Sequence, residues 1–289
     1  MRIPESELIL NQDGSIYHLH LHPEDIAETI ITVGDPDRVS EVTRHFDTIE
    51  FTKQKREFKT QTGSYKGKRM TVISTGIGTD NIDIVFNELD ALANIDLETR
   101  TTKETFTQLD FIRIGTSGAI QPDIAVDSFL VSAMAIGFDN LVHFYGDHDY
   151  SDDAFINAFM NHLQWSPRKS EPYSVAASPH LLALFPDSDF IQGITATNVG
   201  FYGPQGRKLR LALEDDGMNK KLESFRYNDK TITNLEMETS GIYAMASLLG
   251  HNAVSLNAIL ANRALGTFSD SPSKAVDSLI INVLDRIVA

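Results

Sequence analysis

The segment 199–207, VGFYGPQGR, combines residue types that suit recognition of a flat polar ring. A glutamine side chain carries an acceptor and donors, whereas an arginine carries donors only, in a fixed fork. Gln205 and Arg207 together match a ring edge with carbonyl oxygens and one N–H, which is the edge of uracil or thymine. Phe201 can stack on the face of such a ring. The Gly-Pro pair before Gln205 predicts a tight, preset turn.

Two other segments predict a site for a small anion. In VGDPDR, Gly34 follows a buried strand and lets the backbone approach a ligand, and Arg38 projects near a helix start. In RIGTSG, Arg113 stands in an apolar strand, where a guanidinium is costly unless something negative meets it. Each segment also has a simpler interpretation. The first could be an Asp-Pro turn with a solvated arginine, and the second a core arginine paired with an acidic residue.

The segment NLEMETSG (234–241) places two carboxylates next to a predicted helix start, where negative charge is favoured. An ionised carboxylate only accepts hydrogen bonds, so it suits two adjacent hydroxyls, as on a sugar ring. Glu236 and Glu238 point differently, so only one of them need face a ligand. Simple capping of the helix is the alternative.

Three motifs with metal or nucleotide associations do not meet the requirements of those sites. YHLHLH would align His18, His20 and His22 for zinc if it were a strand, but no nearby carboxylate completes the site. DHDYSDD (147–153) lacks the glycine and the final glutamate of a calcium loop. STGIGTDN has Asn81 where a dinucleotide loop needs its third glycine. We therefore expect no bound metal and no dinucleotide cofactor.

Composition narrows the class of protein. The chain has 289 residues and a formal net charge of -15, which disfavours nucleic acid or an anionic membrane as a partner. It contains no cysteine, which excludes disulfides, thiolate metal sites and a cysteine nucleophile. The N-terminal residues lack the pattern of a secretory signal, and no apolar run approaches the roughly 20 residues of a membrane helix. We expect a soluble, cytoplasmic protein.

Apolar runs alternate with amphipathic stretches to the end of the chain, which predicts an α/β fold in one domain, residues 1–289. Ligands of such folds bind beyond the carboxyl ends of strands, where the glycine-bearing segments lie. The polar stretch 96–108 is predicted to be a surface insertion. The predicted strands are 29–35, 69–76, 109–118 and 127–135, and the predicted helices are 83–92, 237–250 and 274–288.

Taken together, the motifs resemble the nucleoside phosphorylase-I family, and most closely its uridine phosphorylases. They are YHLHL, GDPDRV, KREF, STGIG, RIGTSGAIQP, FYGPQGR, NLEMET and ANR, in the order of the family, from about Tyr17 to the C-terminal helix. The resemblance implies a pentosyltransferase that converts uridine and phosphate reversibly to uracil and ribose 1-phosphate. It implies an α/β sandwich around a mixed, barrel-like sheet flanked by helices. A purine nucleoside phosphorylase and a nucleoside hydrolase of the same fold are the alternatives.

The resemblance also implies how two subunits share one site. Phosphate would be bound by Gly34, Arg38, Arg113 and Thr116 of one chain and by Arg56 of a neighbouring subunit. His18 would cross the same interface to the ribose 5′-hydroxyl. The minimal active unit would be a homodimer, and such dimers often build a hexamer. Some relatives bind a monovalent cation between subunits, partly through the position of Glu57, but Asn81 replaces a family serine near that site. Phosphate would be a co-substrate, and no cofactor is expected.

For the nucleoside, the resemblance implies a ribose site and a base site. The implied catalytic residues are Arg207, Gln205, Glu238 and Arg113. Glu238 would hold the 2′- and 3′-hydroxyls. Asn262 and Arg263 stand where purine-specific relatives carry an aspartate, which favours a pyrimidine. The implied nucleoside-binding residues are His18, Phe201, Gln205, Arg207, Glu236, Met237, Glu238, Leu260, Ala261 and Arg263.

Overall fold

Strands and helices alternate along the described chain, which comprises residues 2–146 and 151–289 of the computed structural model. Part of the DHDYSDD segment, residues 147–150, lies outside the described residues. The strands are β1 (Thr29–Val33), β2 (Thr48–Lys55), β3 (Phe58–Tyr65), β4 (Lys68–Ser74), β5 (Ile95–Asp96), β6 (Thr101–Thr102), β7 (Asp110–Ala119), β8 (Phe129–Gly137), β9 (Tyr173–Ala176), β10 (Ile191–Thr197), β11 (Arg226–Tyr227), β12 (Lys230–Glu236), β13 (Asn252–Asn262) and β14 (Thr267–Phe268). The helices are α1 (Pro36–Thr43), α2 (Thr79–Asn94), α3 (Asp153–Leu163), α4 (Pro179–Leu182), α5 (Met218–Ser224), α6 (Thr239–Leu249) and α7 (Pro272–Val288), with 3-10 helices at Pro23–Asp25, Leu141–Phe144 and Gly203–Gln205.

Five strands of the large sheet close on themselves. Their order is β7, β13, β8, β10 and β12, and β12 pairs back with β7, where Asn234 faces Ala119 and Leu235 faces Gly118. The pairs β7–β13, β8–β10 and β10–β12 are parallel, whereas β8–β13 and β7–β12 are antiparallel. The closure brings the end of β12, and with it the start of α6, beside the second half of β7.

Beyond the barrel, the sheet continues from β7 through β1, β4, β3 and β2. Strands β1, β4, β7 and β13 are parallel to their neighbours in this group, so their carboxyl ends share one edge of the sheet. Every residue of β1 is buried, and Phe86 of α2 stacks on Phe111 of β7 with ring centroids 4.1 Å apart. Because β1 is buried and α2 packs on β7, the loops that follow Val33 and Ser74 are held next to Arg113.

The predicted α/β class and barrel-like mixed sheet are confirmed, and the predicted strands and helices all occur with shifts of a few residues at their ends. Gly250 closes α6 with a φ of 79°, a backbone conformation that glycine adopts readily at the end of a helix. The prediction of one domain over residues 1–289 stays a prediction. Within the described ranges, no helix has both the length and the apolar character needed to cross a bilayer.

The YHLHLH segment is not a strand, so it does not align three imidazoles. His20 has a φ of 58°, which breaks any extended run. His18 hydrogen-bonds Glu88 through Nδ1 at 2.6 Å, and His20 pairs with Asp13 at 2.9 Å. Across the described residues, no group of three or more His, Cys, Asp or Glu side chains could hold a metal ion.

Tyr243 of α6 connects the helix to two strands of the barrel. Its ring is 2% exposed. Its hydroxyl donates to the carbonyl oxygen of Ser132 in β8 at 2.6 Å and accepts from the backbone N–H of Ser255 in β13 at 2.8 Å. Because α6 begins directly after Glu238, a carboxylate of the cleft described below, this hydroxyl helps to hold the start of the cleft's helix against the sheet.

We expect Tyr243→Phe to lower the free energy of unfolding by about 1–3 kcal/mol, because two buried backbone groups lose their partner. Urea denaturation followed by circular dichroism measures this change. The matched control is Tyr227→Phe, which keeps the edge-on ring contact with Phe155 at 5.4 Å. The control is expected to stay within about 0.5 kcal/mol of the wild type. Equal unfolding free energies for Tyr243→Phe and the wild type would show that the hydroxyl does not stabilise the fold.

Candidate active site

A cleft of about 810 Å³ lies at the carboxyl edge of the sheet. It is bordered by the loops after β1 and β4, by the second half of β7, by the end of β12 and by the turn at residues 203–205. Many residues singled out in the sequence line it, although they come from distant parts of the chain. They are Gly34, Arg38, Arg113, Thr116, Phe201, Gln205, Arg207, Glu236, Met237, Glu238, Leu260 and Ala261.

One end of the cleft carries two guanidinium groups. Arg38 projects from the first turn of α1, and its buried Nε has no hydrogen-bond partner among the described residues. Burial lowers the pKa of Arg38, and the positive charge of Arg113 lowers it further. Two like charges in a partly dry site repel each other, and an anion between them would relieve the repulsion. This end of the cleft is therefore suited to an oxyanion.

Arg113 is only 5% exposed and is held by three side chains. Its Nη2 lies 2.7 Å from Glu238 Oε2 and 3.3 Å from Glu236 Oε2, and its Nη1 donates to Asn257 Oδ1 at 3.1 Å. Burial opposes the charged form, but Glu236 and Glu238 more than offset it and raise the pKa of Arg113. The two interpretations of this residue are thus compatible, because Arg113 is a paired core arginine that also lines the cleft.

The two carboxylates have different surroundings. Glu236 accepts hydrogen bonds from the backbone N–H groups of Glu238 and Thr239, both at 2.9 Å, and from the hydroxyl of Thr197 at 2.6 Å. It therefore satisfies the N-terminus of α6, as the capping interpretation predicted. Glu238 accepts from the N–H of Gly78 at 2.9 Å. Burial raises the pKa of Glu238, although Arg113 opposes that effect. Since a carboxylate has about four acceptor positions, Glu238 can still accept from hydroxyl groups.

The opposite end of the cleft is formed by the FYGPQGR loop. Arg207 Nη1 donates to Gln205 Oε1 at 2.7 Å and to the carbonyl oxygen of Phe201 at 2.6 Å. The guanidinium carbon lies 3.7 Å from the centroid of the Phe201 ring. The cation therefore covers a face of the ring that was expected to stack on a base. The predicted role of Phe201 stays a prediction.

Arg263 supports this loop from behind. Its Nη1 donates to the backbone carbonyl of Gln205, which also accepts from Asn219 Nδ2 at 3.1 Å. Burial, reinforced by the charge of Arg207, lowers the pKa of Arg263 to about 10, so the side chain remains a cation at neutral pH. Arg263 does not itself line the cleft. Instead it contacts the backbone of Gln205, and this supporting role was not predicted from the sequence.

Two other predicted residues lie away from the cleft of their own chain. Arg56 occupies the turn between β2 and β3 with a φ of 56°, and His18 is bound to Glu88. The resemblance assigned both to the site of a neighbouring subunit, and that assignment stays a prediction. Glu57 and Asn81 do line the cleft, and Asn81 Nδ2 lies 3.4 Å from Glu57 Oε1.

The cleft also has lining residues that were not assigned a role. Ser117 follows Thr116 directly, and its hydroxyl accepts from Asn234 at 2.9 Å. Ile77 and Phe268 lie at the rim and are 69% and 74% exposed. The adjacency of Ser117 to Thr116 was a usable signal. An isolated apolar residue in a loop gives no such signal, because single exposed apolar residues are common on protein surfaces.

Comparison with known proteins gives consistent matches over nearly the whole chain. The model of the phosphorylase superfamily matches residues 28–288. The chain is 28% identical to the uridine phosphorylase of Thermococcus kodakarensis over 269 residues, which cover 91% of this chain and 83% of the relative. It is 26% identical to a DeoD-type purine nucleoside phosphorylase of Brevibacillus brevis over 276 residues, covering 91% and 98%. A solved structure of a Trypanosoma brucei nucleoside phosphorylase, described as showing uridine phosphorylase activity, superposes with a TM-score of 0.87 at 28% identity, covering 98% of this chain and 99% of that one.

The position of Arg113 gives a prediction for Gly115. A Cβ atom at residue 115 would lie 1.8 Å from Arg113 Nη1, so the guanidinium would have to move. We expect Gly115→Ala to weaken the binding of inorganic phosphate by at least about tenfold, since a hydrogen bond to a charged group is worth about 1.5–3 kcal/mol. Isothermal titration calorimetry with phosphate measures this.

The matched control is Gly146→Ala, where an added Cβ meets no atom of the described residues within 4 Å. Phosphate affinity of the control should equal that of the wild type. Unchanged phosphate affinity in Gly115→Ala would mean that Arg113 does not bind the anion from its observed position.

Proposed function

Since the chain belongs to the phosphorylase superfamily, we propose that it is a uridine phosphorylase, which converts uridine and inorganic phosphate reversibly to uracil and ribose 1-phosphate. The observation that carries this proposal is that one cleft is lined by two groups of polar side chains, Arg38, Arg113 and Glu238 in one group and Gln205 and Arg207 in the other. Arg113 contacts Glu238, and Arg207 contacts Gln205. Phosphate would bind the arginines of the first group, ribose would bind Glu238, and a pyrimidine would bind the second group.

The base end would stabilise the leaving group. As the bond between C1′ and the base nitrogen lengthens, negative charge builds on the base and positive charge builds on the sugar. Arg207 and the amide of Gln205 would donate to the base oxygens. These donors bind the departing anion better than neutral uridine, and interactions that are stronger in the transition state are the ones that accelerate the reaction.

The phosphate end would supply the nucleophile. Phosphate held by Arg38 and Arg113 would place negative charge beside the cationic sugar and then bond to C1′. Holding the two reactants in line removes much of the entropic cost of their meeting. The reaction forms no covalent bond to the enzyme. Glu238 would hold the ribose by accepting from its 2′- and 3′-hydroxyls, which is possible because Gly78 and Arg113 leave acceptor positions unused.

A second copy of the chain would complete the site. Arg56 would reach phosphate and His18 would reach the ribose 5′-hydroxyl from the neighbouring subunit, which makes a homodimer the minimal active unit. A monovalent cation near Glu57 is part of this proposal, but the amide of Asn81 lies beside the same carboxylate and would have to share it. We further propose that the enzyme acts in the cytoplasm and needs no cofactor.

The similarity to a purine nucleoside phosphorylase makes a purine substrate the second candidate. The environment of Asn262 favours the pyrimidine. Its Nδ2 donates to the carbonyl oxygens of Gln121 and Ile124, both at 2.8 Å, and its Oδ1 accepts from the N–H groups of Ala264 and Leu265, both at 3.0 Å. A side chain bound in this way has no proton to give to a purine nitrogen.

The reaction is tested with uridine and inosine, each with and without inorganic phosphate. Free base and ribose 1-phosphate are separated and measured by chromatography. We expect uracil and ribose 1-phosphate only when phosphate is present, and slower release of hypoxanthine from inosine. Equal rates of uracil release without phosphate would indicate a hydrolase, and faster turnover of inosine would indicate a purine phosphorylase.

The variant Arg207→Ala tests the contribution of the base-binding residues separately from that of the phosphate-binding residues. We expect kcat on uridine to fall by at least about 100-fold, because one donor to developing negative charge contributes roughly that factor. The affinity for phosphate, measured by calorimetry, should stay within about twofold, since Arg207 does not contact the phosphate end. Lys208→Ala, an exposed change next to it, is the control and should keep full activity. Retained turnover in Arg207→Ala would remove Arg207 from the mechanism.

A further inference from the structure

Asn257 lies behind Arg113, outside the cleft, and is fully buried in β13. Its Oδ1 accepts a hydrogen bond from Arg113 Nη1 at 3.1 Å. Its Nδ2 has no hydrogen-bond partner among the described residues. An unsatisfied buried donor is costly, so the amide is a poor choice for packing alone. Of the two polar atoms of this amide, the oxygen is the one that makes a hydrogen bond among the described residues, and its partner is the guanidinium of Arg113.

The sheet register places the amide at this point. Asn257 of β13 faces Gly115 of β7, and Arg113 faces Ser255. Because Gly115 has no side chain, the guanidinium of Arg113 folds back over it, and its Nη1 lies 1.8 Å from the place where a Cβ would be. The guanidinium therefore fits between the backbone of residue 115, the amide of Asn257 and two carboxylates, one at the end of β12 and one directly before α6. Asn257 forms the side of this enclosure that lies away from the cleft.

The charge of the enclosure explains why an amide serves better than a carboxylate. Arg113 already faces two carboxylates, Glu236 and Glu238, at 3.3 and 2.7 Å. A third negative charge would hold the guanidinium more strongly but would cancel its attraction for an incoming anion. An amide oxygen accepts the same hydrogen bond without adding charge. An apolar side chain would leave Nη1 without a partner on that side.

We propose that Asn257 is a positioning residue for phosphate, because its neutral amide oxygen anchors Arg113 from behind and leaves the guanidinium free to attract the anion. This proposal rests on the proposed function, in which Arg113 binds the co-substrate. Asn257 does not touch the substrate. It acts through Arg113, so its substitution should change the affinity for phosphate and leave the affinity for the nucleoside nearly unchanged.

The test compares Asn257→Asp, which keeps the shape and adds a charge, with Asn257→Leu, which removes the acceptor. Inorganic phosphate binding is measured by calorimetry, and the KM values for phosphate and uridine are measured separately. We expect both variants to bind phosphate more weakly, Asn257→Leu because Arg113 loses its anchor and Asn257→Asp, by at least about tenfold and more than Asn257→Leu, because the added negative charge cancels the attraction of Arg113 for the anion. The KM for uridine should change less than about twofold.

Asn161→Asp, on the exposed side of α3, is the control for the added charge and should bind phosphate as the wild type does. If Asn257→Asp does not fold, Asn257→Leu still tests the anchor. Phosphate affinity that is unchanged in both variants would overturn the proposal. So would a loss in Asn257→Leu as large as that in Asn257→Asp, or equal rises in the two KM values, since either result would indicate general disruption of the site. Phosphate binding by a wild type that does not cleave uridine would instead count against the proposed function.

Discussion

The guanidinium of Arg113 lies where β7, β13 and α6 meet, and it is enclosed by protein on nearly every side. Transferring such a charge out of water costs several kcal/mol, and removing one partner of a buried pair costs more than the pair contributes. Glu236, Glu238 and Asn257 supply the partners, and Gly115 supplies the space. These residues act as one unit, so the effects of changing two of them should not add.

The same unit constrains how much positive charge one chain offers to phosphate. Among the described residues, three arginines line the cleft of one chain, Arg38, Arg113 and Arg207, together with four carboxylates, Asp35, Glu57, Glu236 and Glu238. A single chain thus has no excess positive charge in its cleft. In the proposed dimer, Arg56 of the second subunit would add a fourth cation. The acidic character of the chain, with its formal net charge of -15, makes this local arrangement necessary, because the rest of the surface repels anions.

Sequence patterns predicted the strands and helices well, because buried strands and an apolar helix face leave a periodic record. They also singled out Gln205 and Arg207, which line the cleft. The partner of Arg113 could not be predicted, since it is one of 40 acidic residues and Glu238 lies 125 positions away. Whether YHLHLH forms a strand could not be decided from the sequence, and the partner of His18 is Glu88, 70 positions further on. Asn257 gave one usable sign, an amide between Leu256 and Ala258 inside the largely apolar strand β13, but its target depends on the sheet register.

In the FYGPQGR loop, Arg207 is hydrogen-bonded to Gln205 and stacked on Phe201. In the proposed reaction, contact between Arg207 and a base would exchange these internal hydrogen bonds for new ones of similar strength, so the net gain for a neutral ring would be small. A ring that carries negative charge would gain more from the exchange. Once the ring takes up a proton and becomes neutral, Arg207 could bind Gln205 again. These internal contacts would thereby favour release of the free base.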